Sequence, residues 1–162
     1  MENDKINLLI VDDEVQFLKS ISKSLEAREF NVIAVDRGEK AIEAARQNPI
    51  DVALVDLKMP GINGEETLKV LKAEHKWMEI VILTGHGTID SAVECTKGGA
   101  FSYLQKPCSL EELLDSLKNA YKKKVMNRKK IEGKKMDELL KISLSGSARE
   151  ILRKLREMDK DD

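Results

Sequence analysis

The 162-residue sequence is short of several things, and each shortage removes a class of protein. It has two cysteines, Cys95 and Cys108, too few for a disulfide framework and without metal-ligand spacing. No apolar segment approaches the ~18 residues that a bilayer crossing needs. The opening MENDKINLLIV mixes acids into a short apolar run, unlike a secretory leader. No G-x-x-x-x-G-K-[ST] phosphate loop occurs. Aromatic residues make up 4% and are not interleaved with the basic ones, and no helix-turn-helix signature appears, so specific DNA reading is not expected. These gaps leave a soluble chain suited to a reducing cytoplasm, with no membrane association.

What is present is charge, at 35% of residues, over a 41% apolar content sufficient for one domain with a real core. The net charge of −1 hides a division. Residues 1–117 carry 13 basic and 21 acidic side chains, and residues 118–162 carry 15 and 8. An acidic body followed by a basic tail implies two parts with different jobs.

Five short apolar runs punctuate the body: INLLIV (6–11), FNVIAV (30–35), DVALV (51–55), EIVIL (79–83) and AFSYL (100–104). Most are near-continuous rather than alternating, the pattern of strands covered on both faces in a parallel sheet. Helical patterns fill the gaps. Val15, Leu18, Ile21 and Leu25 form one apolar stripe. Asn63 with Glu66, and Ser109 with Glu112, have capping-box spacing, while Gly98 and Gly99 should stop a helix that begins near Thr88. Five β-then-α units in a row predict an α/β fold with an open doubly wound sheet and right-handed crossovers.

Ligands of such sheets bind at the carboxyl ends of the strands, at a topological switch point. The residues that follow the runs are therefore the candidates: Asp12, Asp13 and Glu14 after the first, Asp56 after the third, Thr84 after the fourth and Lys106-Pro107 after the fifth. Asp36 follows the second and has no evident place in the set. Singly, each has an ordinary explanation as a cap, a turn former, a strand end or a surface charge. Together, Asp12, Asp13 and Asp56 bring three carboxylates, Thr84 a hydroxyl and Lys106 an ammonium to one edge, with Glu14 beside them.

Two carboxylates ~4 Å apart repel by ~4 kcal/mol at an effective dielectric of 20, so three must protonate, separate or take up a cation. A hard divalent ion with oxygen ligands resolves the repulsion, and Mg²⁺ is the usual choice where phosphate is handled. Asp56, kept ionised, then has the character of a nucleophile toward phosphorus, with Lys106 and Thr84 as partners for the added oxygens.

LLIVDDE, DVALVDLKMPGINGEE, VILTGHGTIDSAVE and AFSYLQKP, in this order, resemble the receiver domain of bacterial two-component response regulators. The likeness spans residues 4–122, leaving 123–162 as a basic, helical tail. It implies a flavodoxin-like five-stranded parallel sheet of order 2-1-3-4-5 with a helical C-terminal extension. It also implies phosphoryl transfer from a phosphohistidine on a sensor histidine kinase or phosphotransfer protein to Asp56. The resemblance further implies Mg²⁺ held by Asp13, Asp56 and the backbone carbonyl of Lys58, with Asp12 acting mainly through water. Lys106 would pair with the phosphoryl group, ahead of a cis bond to Pro107. Thr84 and Tyr103 would form a switch pair, while Lys58 and His86 would tune the lifetime of the phosphoryl group. Catalysis would extend only to the domain's own phosphorylation and dephosphorylation. TGHGTIDSAVE is particularly similar to receivers joined to sigma-54-type transcription activators, whose ATPase and DNA-binding modules do not fit in the residues after 122. Cys108 reads as a small core residue rather than a redox sensor.

A Mg²⁺-dependent phosphatase on a similar sheet would use the same aspartyl chemistry. Such enzymes show D-x-D at the nucleophile, whereas Lys58 stands two residues past Asp56, and no substrate-cap insertion is present. Residues 118–135 hold nine Lys or Arg and one acid, enough for salt-sensitive attraction to nucleic-acid phosphates but also for a solvated helix extension, the preferred reading. The extension weakens at Gly133 and should break at SLSG (143–146). Ser147 with Glu150 would cap a short helix bearing Ile151, Leu152, Leu155 and Met158 on one stripe. Such a stripe suits a second copy of the chain or a heterologous partner.

Overall fold

A computed structural model describes residues 5–145 together with 153, 156 and 157. Five parallel strands, β1 (Ile6–Val11), β2 (Phe30–Val35), β3 (Val52–Val55), β4 (Glu79–Thr84) and β5 (Ser102–Gln105), form one sheet of order β2-β1-β3-β4-β5. Between them run α1 (Val15–Glu26), α2 (Gly38–Gln47), α3 (Gly64–Glu74) and α4 (Ile89–Lys97), and α5 (Leu110–Ser145) follows β5. The first two apolar runs coincide with β1 and β2, and the last strand starts two residues later than its run.

Strand periodicity divides the core. Leu9, Val11, Ala53, Val55, Ile80 and Ile82 face α2, α3 and α4, with Ala41, Leu68, Leu71 and Cys95 against them. Their neighbours Leu8, Ile10, Val52, Leu54, Val81 and Leu83 face α1 and α5, against Leu25, Leu113, Leu117 and Ala120. This two-sided burial is why the runs read as continuous. Leu18, Ile21 and Leu25 of the α1 stripe pack inward as expected, but Val15 is 52% exposed and Phe17 takes part in the packing instead.

The caps behave largely as their spacing predicts. Asn63 Oδ1 accepts the Glu66 N–H at 2.9 Å, and Ser109 Oγ accepts the Glu112 N–H at 3.1 Å. α4 carries a reciprocal box between Thr88 and Ser91 and ends at Gly98, before Gly99 at φ +100°. α5 continues through Gly133, as the expected helix extension requires, and is helical as far as Ser145, while the break expected over 143–146 runs past the described residues. A single glycine costs about 1 kcal/mol in a helix interior and serine less, which strong helix formers such as the surrounding Lys, Glu and Leu outweigh. Gly146, the Ser147–Glu150 box and the 151/152/155/158 stripe lie outside the described residues. By its contacts the chain divides into residues 1–124 and 125–162.

Candidate functional site

β1 and β3 are neighbours whose following helices lie on opposite faces of the sheet, so their carboxyl ends open a crevice between the connections. Asp12 and Asp13 leave β1 there, and Asp56 leaves β3. Their carboxylates offer one oxygen each, all within 4.8 Å of one another. Asp12 and Asp56 are each 2% exposed, while Asp13 faces solvent. Two buried carboxylates and an open third, all hard oxygen donors, fit a divalent cation that keeps part of its water shell.

Local structure fixes these groups. Asp56 N–H donates to Val11 O at 2.9 Å, continuing the ladder, and Asp56 Oδ1 accepts the Leu57 N–H at 2.9 Å. The loop turns at Gly61, whose φ of +80° suits glycine, and Glu39 Oε1 accepts the Ile62 N–H at 2.9 Å. α3 then starts so close to the end of β3 that a Cβ on Gly64 would lie 2.2 Å from Asp56 O. Only glycine permits that approach.

Lys106 reaches in from the end of β5. Its Nζ donates to Asp12 Oδ2 at 2.7 Å and Glu14 Oε1 at 3.2 Å, and stands 4.1 Å from the centroid of the Phe17 ring. Burial raises the Asp12 pKa above the ordinary carboxylate value; hydrogen bonds from Lys106 and the Glu14 N–H only partly oppose this, and the charge of Asp56 adds to it. Burial works against the Lys106 ammonium too, yet Asp12, Glu14 and Asp56 outweigh it and hold its pKa above the ordinary value.

Thr84 ends β4 fully buried, and its Oγ1 accepts the His86 N–H at 3.1 Å. Tyr103, half-buried on β5, packs against the cluster under α2–α4, with its hydroxyl 2.9 Å from Ser91 Oγ. A Cβ on Gly87 would come within 2.3 Å of that hydroxyl, so the glycine makes room for it. The side chains of Lys58 and His86 are exposed beside the crevice's two loops. The Lys106-Pro107 bond is cis. Asp36 stays outside the site, paired with Arg37 and Lys40 at 3.1 Å each. Cys108 is half-buried against the α1/α5 cluster, and burial first, then Glu112, push its thiol pKa up.

The sequence order had already gathered Asp12, Asp13, Asp56, Thr84 and Lys106. It gave no sign of Phe17 beneath the ammonium, of Glu14 as a second acceptor, or of Ser91 holding Tyr103. The Ser91 contact had one available signal, the T-x-x-S spacing that also caps α4.

A family model described as the response regulator receiver domain matches residues 8–118. The chain belongs to that family. The transcriptional regulatory protein ZraR of Escherichia coli K12 is 32% identical over 120 residues, covering 74% of this chain and 27% of ZraR. A putative NtrX-like response regulator of Rickettsia bellii is 31% identical over 157 residues, covering 96% of this chain and 33% of that protein. These relatives agree with the likeness to sigma-54-type activators seen in TGHGTIDSAVE. The chain thus spans a third or less of these two relatives. Among solved structures, a receiver domain from Clostridium thermocellum superposes with a TM-score of 0.69 at 34% identity, covering 78% of this chain and 98% of that one. The beryllofluoride-activated NtrC4 receiver domain dimer gives 0.69 at 29% identity, covering 73% and 98%. Family and sheet order together place the molecule among phosphoacceptor domains of the flavodoxin-like type, with an Asp12/Asp13/Asp56 cluster able to coordinate a divalent metal. No helix among the described residues is long and apolar enough to cross a membrane.

Proposed function

We propose that this receiver accepts a phosphoryl group on Asp56 from the phosphohistidine of a sensor kinase or phosphotransfer protein and changes shape in response. The observation that carries this reading is the meeting of three carboxylates with a single ammonium at the end of β3. Mg²⁺ suits the donor set, with Asp13, Asp56 and the Lys58 carbonyl as direct ligands and Asp12 acting through water; when bound, it supplies charge neutralisation for the incoming phosphoryl oxygens.

Asp56 is the nucleophile. One of its oxygens attacks phosphorus, the P–N bond of the donor breaks, and the electron pair stays with the departing imidazole. Lys106 and the Thr84 hydroxyl then pair with the added oxygens. To do so, the Thr84 hydroxyl turns from its present contact with the His86 N–H, and Tyr103 follows, loosening or strengthening its hold on Ser91 and α4. Lys58 and His86, exposed beside Asp56, govern how readily water reaches the acyl phosphate. Output runs through association: the NtrC4 receiver is by its name a dimer when activated, and α5 carries exposed Met126 and Met136.

Incubation with acetyl phosphate and Mg²⁺ tests the chemistry. A hydroxylamine-labile label on wild type that Asp56→Asn lacks is the expected result, and a label that survives the substitution contradicts it. Light scattering with beryllofluoride tests the output, where an unchanged mass argues against self-association.

A further inference from the structure

We propose that Glu14 is a positioning residue that holds the Lys106 ammonium on the metal side of the site and so opposes its transfer to a phosphoryl group on Asp56. The proposal rests on the reading of Asp56 as phosphoacceptor.

Glu14 occupies the N-cap position of α1, where a side chain ordinarily turns back onto the first N–H groups of its own helix; here it makes no such bond. Its Oε1 instead reaches the ammonium of Lys106 at 3.2 Å, across 92 residues of sequence. The Glu14 N–H is at the same time tied to Asp12 Oδ1 at 2.9 Å, which fixes where the side chain departs. From the next turn of α1, Phe17 sets its ring 4.1 Å from the same ammonium, and the negative face of an aromatic ring attracts a cation. Lys106 therefore sits among three attractions, Asp12, Glu14 and Phe17.

An ammonium has three protons. Asp12 and Glu14 already engage two, and the Phe17 ring is a further attraction to break. A phosphoryl oxygen on Asp56 must therefore compete for the group. A cation bound by the acid cluster weakens the hold of Asp12, because the same carboxylate serves both. It does nothing to Phe17 and far less to the exposed Glu14. These two become the resting seat, and leaving them is a cost of activation. Glu14, Phe17 and Lys106 also line a cleft of about 570 Å³ with Leu83 and Leu113, on the α1/α5 side of the site, so the resting seat of the ammonium lies away from Asp56.

Beryllofluoride binding at saturating Mg²⁺ tests the proposal, since the probe mimics the phosphoryl group without turnover. Glu14→Gln should bind it about three- to tenfold more tightly, and Phe17→Leu about twofold more tightly. In a Lys106→Ala background the Glu14→Gln gain should vanish. A gain of the same size in both backgrounds would mean that Glu14 merely repels an anionic ligand, and would overturn the proposal. So would unchanged or weaker binding by Glu14→Gln alone. If wild type binds no beryllofluoride at saturating Mg²⁺, the phosphoacceptor reading itself fails, a result distinct from either.

Discussion

The two ends of the sheet both bury carboxylates, and they handle them in opposite ways. At the amino end, Asp51 is paired with Lys124 and accepts the Asn7 N–H at 2.8 Å, while Glu79 has Lys72 at 3.7 Å and Lys123 at 3.6 Å. Two acids meet three ammonium groups there. At the carboxyl end, four acids, Asp12, Asp13, Asp56 and Glu14, gather near one ammonium, Lys106, which pairs with Asp12 and Glu14. Burying a charge is tolerable when it is paired, so the amino end is stable as it stands. The carboxyl end carries an excess of acid that a divalent cation would relieve. Excess acid at a strand mouth is a vacancy for chemistry, whereas balanced acid at a strand start is architecture.

The comparison is most sharply tested by removing one acid from each end. Asp51→Ala should lose about 2 kcal/mol in denaturant unfolding, because it strands a half-buried lysine and the Asn7 N–H. Asp56→Asn should instead be neutral or gain about 1 kcal/mol, because it relieves repulsion. Equal losses at both ends would erase the distinction.

Next in size is the response to metal. Mg²⁺ at ten- to thirtyfold above its dissociation constant should add about 1–2 kcal/mol to wild type, by mass action on the folded state. Asp13→Asn should lose most of that gain and Asp51→Ala should retain it, as calorimetric unfolding would show.

A smaller effect belongs to the Tyr103–Ser91 contact. Tyr103→Phe should cost about 0.5–1 kcal/mol, Ser91→Ala more because it also removes half of the α4 capping box, and the double variant little more than Ser91→Ala alone. Full additivity would show that the hydroxyls do not act as a pair.

The smallest is a pH effect. The Ile62 N–H, hydrogen-bonded to Glu39, holds the Glu39 pKa below its ordinary 4.5. A depressed folded pKa contributes stability above the unfolded value that is lost as pH falls through the folded one. Glu39→Gln, which mimics the protonated acid, should therefore lower stability slightly at neutral pH, match wild type well below 4.5, and flatten the profile between the two. An unaltered acid limb would contradict the assigned hydrogen bond.

The strands were legible because burial on both faces writes itself as unbroken apolar runs, and Asp12, Asp56 and Thr84 were legible because they directly end such runs. Asp51 was misleading: it opens the run DVALV, yet it precedes β3 and serves as an acceptor for Asn7 and Lys124. Its lysine lies 73 residues away, and no local pattern announces a pair across that distance. The Phe17 and Glu14 contacts with Lys106 were hidden likewise, since α1 spacing shows which residues share a face but not which remote ammonium comes to them. Gly133 suggested a weak point in α5, but one unfavourable residue does not stop a helix already propagating.

The most direct measurement is a two-dimensional amide NMR titration with Mg²⁺ followed by beryllofluoride. The account predicts that Mg²⁺ first moves the resonances of residues 11–14 and 55–59, that beryllofluoride then moves Thr84, Tyr103 and Lys106, and that Asn7, Asp51 and Glu79 hardly shift. Perturbation centred on Asp51 and Glu79, or none at residues 11–14 and 55–59 with millimolar Mg²⁺, would contradict it.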